Sequence, residues 1–68
     1  MTQHERILDY IDRHGSITPM DAFMDLGITK LATRVSELIR GGVRISKAQK
    51  TGKNRFGDAV RYTEYRRG

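Results

Sequence analysis

The sequence predicts a small α+β domain: three helices, a short strand between the first two, and a β-hairpin after the third. Three observations carry that expectation. Apolar residues recur at helical spacing in three segments between Thr2 and Arg40. Beyond Gly41-Gly42 the period drops to two, with Val43, Ile45 and then Val60, Tyr62 alternating with polar residues as half-buried strands do. Between those segments lies Lys50-Thr51-Gly52-Lys53-Asn54-Arg55-Phe56-Gly57-Asp58, dense in turn formers and positive charge. The chain has 68 residues, room for one domain. That domain is expected over residues 1–65, with a basic tail over 66–68.

Each element has its own local signal. Thr2-Gln3-His4-Glu5 has the form of a capping box, in which the Thr hydroxyl and the Glu carboxylate satisfy each other's free backbone amides. The helix it opens places Ile7, Leu8 and Ile11 on one face and turns Asp9, Asp12 and Arg13 to water. His14-Gly15 ends it, because glycine accepts the left-handed conformation after a helix. Tyr10 either extends the apolar face or belongs to an exposed association patch. Ser16-Ile17 is too short for a helix and too apolar for a free loop, so it is expected to pair as a short edge strand.

Thr18-Pro19-Met20-Asp21 opens the second helix, with Thr as N-cap, Pro in the first position and an acid at the positive end of the dipole. Ala22, Phe23 and Leu26 form its apolar stripe, Met20 and Met24 flank that stripe as core filler in preference to a partner surface, and Gly27 stops it. Thr29 is the expected N-cap of the third helix. Leu31, Val35, Leu38 and Ile39, at i, i+4, i+7 and i+8, make its buried face, and Gly41-Gly42 terminates it. Two helices joined by a tight turn at Gly27, the second with a marked polar face, are the sequence form of a helix-turn-helix. The hairpin follows, its outer limits blurred at Lys47 and Tyr65. Arg66-Arg67-Gly68 reads as a frayed basic tail.

Composition narrows the chemistry. The absence of cysteine excludes a disulfide framework and a Cys-ligated zinc site. No stretch approaches the about 20 apolar residues of a membrane span or the apolar run of a signal peptide, so a soluble, cytoplasmic protein is expected. Lys and Arg number 13 against 8 Asp and Glu, a net charge of +5. The surplus is localised: residues 39–68 hold nine of the cations against Asp58 and Glu64 alone, while residues 1–38 are slightly acidic. Charge concentrated in this way points to a nucleic-acid partner. Enzyme signatures are missing. Thr51-Gly52-Lys53 lacks the first glycine and the strand-to-helix setting of a phosphate-binding loop. His4 and His14 have no third ligand to make a metal site. A non-enzyme with no cofactor, metal or small-molecule ligand is therefore expected.

Opposite Leu31 and Val35, the third helix carries Thr29, Lys30, Thr33, Glu37 and Arg40, with Arg34 and Ser36 at the margins. Short polar and long cationic side chains of this kind suit base edges and phosphates in a major groove, which admits one helix. Lys30, Thr33 and Arg34 lead, being nearest the helix N-terminus. Glu37 would repel phosphate unless it accepts from a cytosine amine or pairs with Arg34 or Arg40. Composition alone fits an ordinary solvated face equally well. The hairpin tips the balance, because Lys47, Lys50, Lys53, Arg55 and Arg61 sit on or beside a loop with two glycines, where backbone can approach phosphate closely. Asn54 can donate to phosphate or reach into a minor groove, and Phe56 can cap the sheet edge or touch a sugar.

Gly15-Ser16-Ile17-Thr18, Leu26-Gly27-Ile28, Arg34-Val35-Ser36-Glu37-Leu38, Gly42-Val43-Arg44-Ile45 and Lys53-Asn54-Arg55-Phe56-Gly57 together resemble the winged helix-turn-helix family. The likeness is to the small DNA-binding members found in phages and integrated elements of bacteria, and it spans nearly the whole chain. Gly41-Gly42 departs from the pattern where a charged residue is expected, loosening the end of the third helix. The resemblance implies that this helix enters the major groove and the wing tracks the backbone. It thereby assigns Lys30, Thr33, Arg34 and Arg40 to the first role and Lys53, Asn54 and Arg55 to the second. The implied function is duplex DNA binding by a phage or mobile-element regulator or architectural factor. The alternative is a winged-helix protein-interaction module that inhibits a host nucleic-acid enzyme. One recognition helix covers only a few base pairs, so a homodimer or cooperative neighbours are expected partners. RNA is the weaker nucleic-acid reading, because no aromatic stacking platform is evident.

Overall fold

A computed structural model describes residues 1–68. Helix α1 (Gln3–His14) starts at the expected capping box: the Thr2 hydroxyl accepts from the Glu5 N–H at 3.1 Å, and the Thr2 N–H donates to Glu5 Oε1 at 3.0 Å. The Thr2 backbone N–H first, and the Thr2 hydroxyl beside it second, hold the Glu5 carboxyl below the usual carboxylate range. The helix ends at Gly15 (φ 89°), whose N–H returns to the Ile11 carbonyl.

Thr18 caps the next helix in the same reciprocal way with Asp21, at 3.1 and 3.0 Å. Helix α2 (Pro19–Asp21) then continues as a π-helical turn (Ala22–Leu26) that stops at Gly27, φ 68°. A π turn closes i→i+5, so side chains beyond Ala22 drift out of the α-helical phase that sequence reading assumes. Of the expected stripe, Ala22 is buried, Leu26 is half-buried and Phe23 is 56% exposed. Met20 and Met24, expected as core filler, are 67% and 70% exposed. Tyr10 ties the π turn to α1 by donating to Asp25 Oδ2 at 2.5 Å, which pushes its phenol up to about 12.

Helix α3 (Leu31–Arg40) begins later than expected. Lys30 occupies the N-cap position without a side-chain bond, and Thr29 lies outside the helix. Leu31, Val35 and Leu38 are buried as expected, whereas Ile39 is 40% exposed. At about 100° per residue, Ile39 lies a further ~40° around from Val35 on the side away from Leu31, past the packed face.

Strands β1 (Ile45–Lys53) and β2 (Ala59–Arg67) pair antiparallel from Ile45 opposite Arg67 to Lys53 opposite Ala59. Two expectations are corrected here. The residues from Lys50 through Lys53 belong to β1, leaving a loop of only residues 54–58. Arg66 and Arg67 are paired strand residues and not a frayed tail, and the Arg67 guanidinium grips both Asp12 carboxylate oxygens at 3.1 Å each.

The core joins Ile7 and Ile11 of α1 to Ala22, Ile28, the three buried α3 residues, Ile17 and Tyr65. The short strand expected at Ser16-Ile17 is a single antiparallel bridge, in which Ile17 and Tyr65 exchange backbone bonds of 2.9 Å each way. This bridge and the Arg67–Asp12 pair fix the hairpin by its base. Ala59 through Tyr62 are all exposed. Six residues of strand span about 20 Å, so the hairpin projects from the body, with an open cleft between its outer half (Lys53, Val60, Tyr62) and the start of α2 (Pro19, Met20), in a molecule 38 Å long and 21 Å across.

Candidate nucleic-acid interface

With Leu31, Val35 and Leu38 turned inward, α3 presents Thr33, Ser36 and Arg40 to solvent, with Lys30 at its start and Ala32 on the flank. Thr29 is exposed in the preceding turn. Ser36 is a full member of this face, although the wheel puts it at the margin. Ala32 was missed altogether, yet its methyl suits contact with a thymine methyl. The wheel marks Ser36 only at its margin and gives no signal for Ala32, because the exposed sector depends on where α1 packs.

Arg34 is set apart from the other cations. Its Nη1 donates to Glu37 Oε1 at 2.7 Å, and His4 Nε2 from α1 lies 2.8 Å from the same oxygen. The His4 and Arg34 bonds, in that order, keep the Glu37 carboxyl below the usual carboxylate range. Arg34 is part-buried here, and its Nε is enclosed without a partner. The pairing of Glu37 with Arg34 anticipated from sequence is therefore made, and His4 joins it. The same arrangement points Arg34 toward α1 and away from Thr33 and Arg40.

On the wing, Lys47, Lys50, Lys53, Arg55 and Arg61 are all exposed. The strand register puts Lys53 and Arg61 on one ribbon face and Lys50 on the other beside Tyr62, so positive charge surrounds the hairpin. Gly52 lies beside the Tyr62 ring, whose Cε1 is 3.5 Å from where a Cβ would stand, an ordinary contact distance. Asn54 organises the loop: its Oδ1 accepts from the Phe56 N–H at 2.9 Å and the Asp58 N–H at 3.1 Å. Its backbone N–H also reaches the Asp58 carbonyl, and its carbonyl accepts from the Gly57 N–H, both at 3.0 Å. Only the carboxamide N–H groups of Asn54 remain as donors to a ligand. Arg13, Arg34, Arg66 and Arg67 are spent on carboxylates of this chain, whereas Lys30, Arg40, Lys50, Lys53 and Arg55 make no ion pair.

Three helices, a tight glycine turn between the second and third, and a basic C-terminal hairpin define a helix-turn-helix body that carries a wing. The family model for the winged helix-turn-helix domain matches residues 2–66, and the chain belongs to that family. Membership supports a DNA-binding role in general. No curated protein and no solved structure matches the chain. No helix is long and apolar enough to cross a membrane.

Proposed function

We propose that this chain binds duplex DNA with α3 in the major groove and the β1–β2 wing on the flanking backbone. Its role would be that of a cytoplasmic or nucleoid-associated regulator or architectural factor of a phage or mobile element. The observation that carries this reading is the division of the cations. Lys30, Arg40 and the cations of the outer wing are exposed and unpaired, while the part-buried Arg34 is consumed by Glu37, and Arg66 and Arg67 at the hairpin base are held by Glu64 and Asp12. A helix about 10–12 Å across fits a major groove about 12 Å wide. Thr33 then meets base edges, with Thr29 and Lys30 beside the first turn and Arg40 reaching a phosphate at the groove's edge. Lys50, Lys53, Asn54 and Arg55 meet phosphates. Arg34 serves indirectly, holding the Glu37 charge away from the backbone.

Fluorescence anisotropy on labelled duplexes tests the proposal. If Lys30, Arg40, Lys50, Lys53, Arg55 and Arg61 each neutralise one phosphate, log K should fall with log salt at a slope of about −5. Absence of binding at low salt, or a slope near zero, overturns it. Selection from random duplexes would extend the test, since a palindromic motif supports a homodimer and tandem half-sites support cooperative neighbours.

A second reading, a protein-interaction module that inhibits a host nucleic-acid enzyme, draws support from exposed Met20, Phe23 and Met24. A stoichiometric protein partner that survives nuclease treatment of the lysate would favour it.

A further inference from the structure

We propose that Phe56 is a wedge that enters a minor groove and unstacks a base step, so that the wing bends duplex DNA as well as gripping its backbone. This rests on the DNA-binding reading above. Phe56 is 80% exposed, more than Met1, Met24 or any other large apolar residue left in water. It caps no sheet edge in the way the sequence allowed.

The loop presents the ring on a fixed support. The Phe56 N–H is bound to Asn54 Oδ1, and three further bonds among Asn54, Gly57 and Asp58 close the turn around it. In sequence the unpaired cations Lys53 and Arg55 precede Phe56 and Asp58 follows it, at the far end of a hairpin that is hydrogen-bonded to the body only at its base. An apolar ring gains nothing from phosphate, and its neighbours deliver it to a polyanion.

Size decides how it meets the duplex. Two strands about 4.8 Å apart, with their side chains, overfill a minor groove about 6 Å wide and 7.5 Å deep. A single aromatic ring carried ahead of them fits. Apolar side chains inserted between base steps from this groove kink DNA by roughly 20–90°. The hairpin reach of about 20 Å beyond the Ile17–Tyr65 bridge takes the ring past the groove that α3 would occupy.

The experiment uses a duplex of about 30 base pairs with TA steps, which kink readily, carrying a donor and an acceptor dye at its two ends. Energy transfer and anisotropy are read together for the wild type, Phe56→Ala and Phe56→Leu. The wild type should bring the ends closer. Phe56→Ala should bind within about threefold with an unchanged salt slope, because no charge is removed, but leave the duplex straight. Phe56→Leu should retain most of the bend. The chain has no tryptophan, so Phe56→Trp supplies a single reporter at the tip, and its emission should be quenched by stacking when duplex is added. A bound complex whose wild-type bend equals that of Phe56→Ala, or a Trp emission unchanged on binding, overturns the wedge alone. Failure of the wild type to bind duplex at low salt overturns the underlying DNA-binding reading with it.

Discussion

Replacing Ile17 with Ala should threaten the whole fold, although Ile17 belongs to no helix or extended strand. The side chain is completely buried, and it sits where the hairpin meets the helices. Ile→Ala removes three carbons, worth about 2.4 kcal/mol at ~0.8 kcal/mol per buried methylene. The cavity left between elements that cannot fully collapse raises the loss to about 3–4 kcal/mol. A chain of this length has only roughly 3–10 kcal/mol to lose. Urea denaturation followed by circular dichroism should show the midpoint falling by about 3 M, taking m as about 1 kcal/mol/M. Ile17→Val should cost about 1 kcal/mol. The two backbone bonds to Tyr65 need no side chain, so the loss measures packing. Native-state hydrogen exchange should show the Ile17 and Tyr65 amides losing protection in step with the loss of global stability. A cost below about 1 kcal/mol for Ile17→Ala at unchanged m would refute the assignment of Ile17 as the joint between wing and body.

Three further outcomes follow from local geometry. Thr18→Ala should cost about 1 kcal/mol through loss of the capping box, whereas Thr29→Ala should stay within about 0.5 kcal/mol, since Thr29 caps nothing; matched urea titrations distinguish them. Glu37 ionises below its ordinary value of 4.5 in the folded chain. The stability it lends is complete above that value and is lost as pH falls through the lowered folded value. Thermal melts from about pH 6 to about pH 3 should therefore show a smaller fall in Tm for Glu37→Gln than for the wild type, and equal falls would count against the His4–Glu37–Arg34 cluster. In duplex binding, Arg40→Ala should reduce the salt slope by about 0.9, while Arg34→Ala should leave it nearly unchanged because that guanidinium is held by Glu37; equal reductions would refute the division of the cations.

What could be read from the sequence was what local chemistry decides. The Thr2–Glu5 capping box, the Thr18 N-cap with the Pro that follows it and the glycine stops at Gly15 and Gly27 depend on residues within one helical turn of each other, and all are present. The misreadings share a different origin. The packed face of this helix is narrow, and Phe23, about 100° around from the buried Ala22, falls outside it, a limit that only the packing partners set. The pairing of Arg66 with Ser46 and of Arg67 with Ile45 joins residues distant in sequence, and a row of cations at a chain end looks like a tail until that partner is known. The same holds for the site. Exposure of Thr33 and Arg40 follows from the α3 wheel alone, but the inward turn of Arg34 requires His4 and Glu37 to meet across two helices.

The anchoring of the hairpin at one end makes its length a free variable. The last β2 residue that the core uses is Tyr65, and nothing from Ala59 to Tyr62 is buried. Excising Thr51-Gly52 together with their partners Val60-Arg61 would draw the tip in by about 7 Å. Because side chains alternate with a period of two, every remaining strand residue would keep its face. The core would lose no residue. Such a chain can acquire a longer or shorter arm by paired insertions or deletions, changing how far along a ligand it touches without renegotiating how it folds.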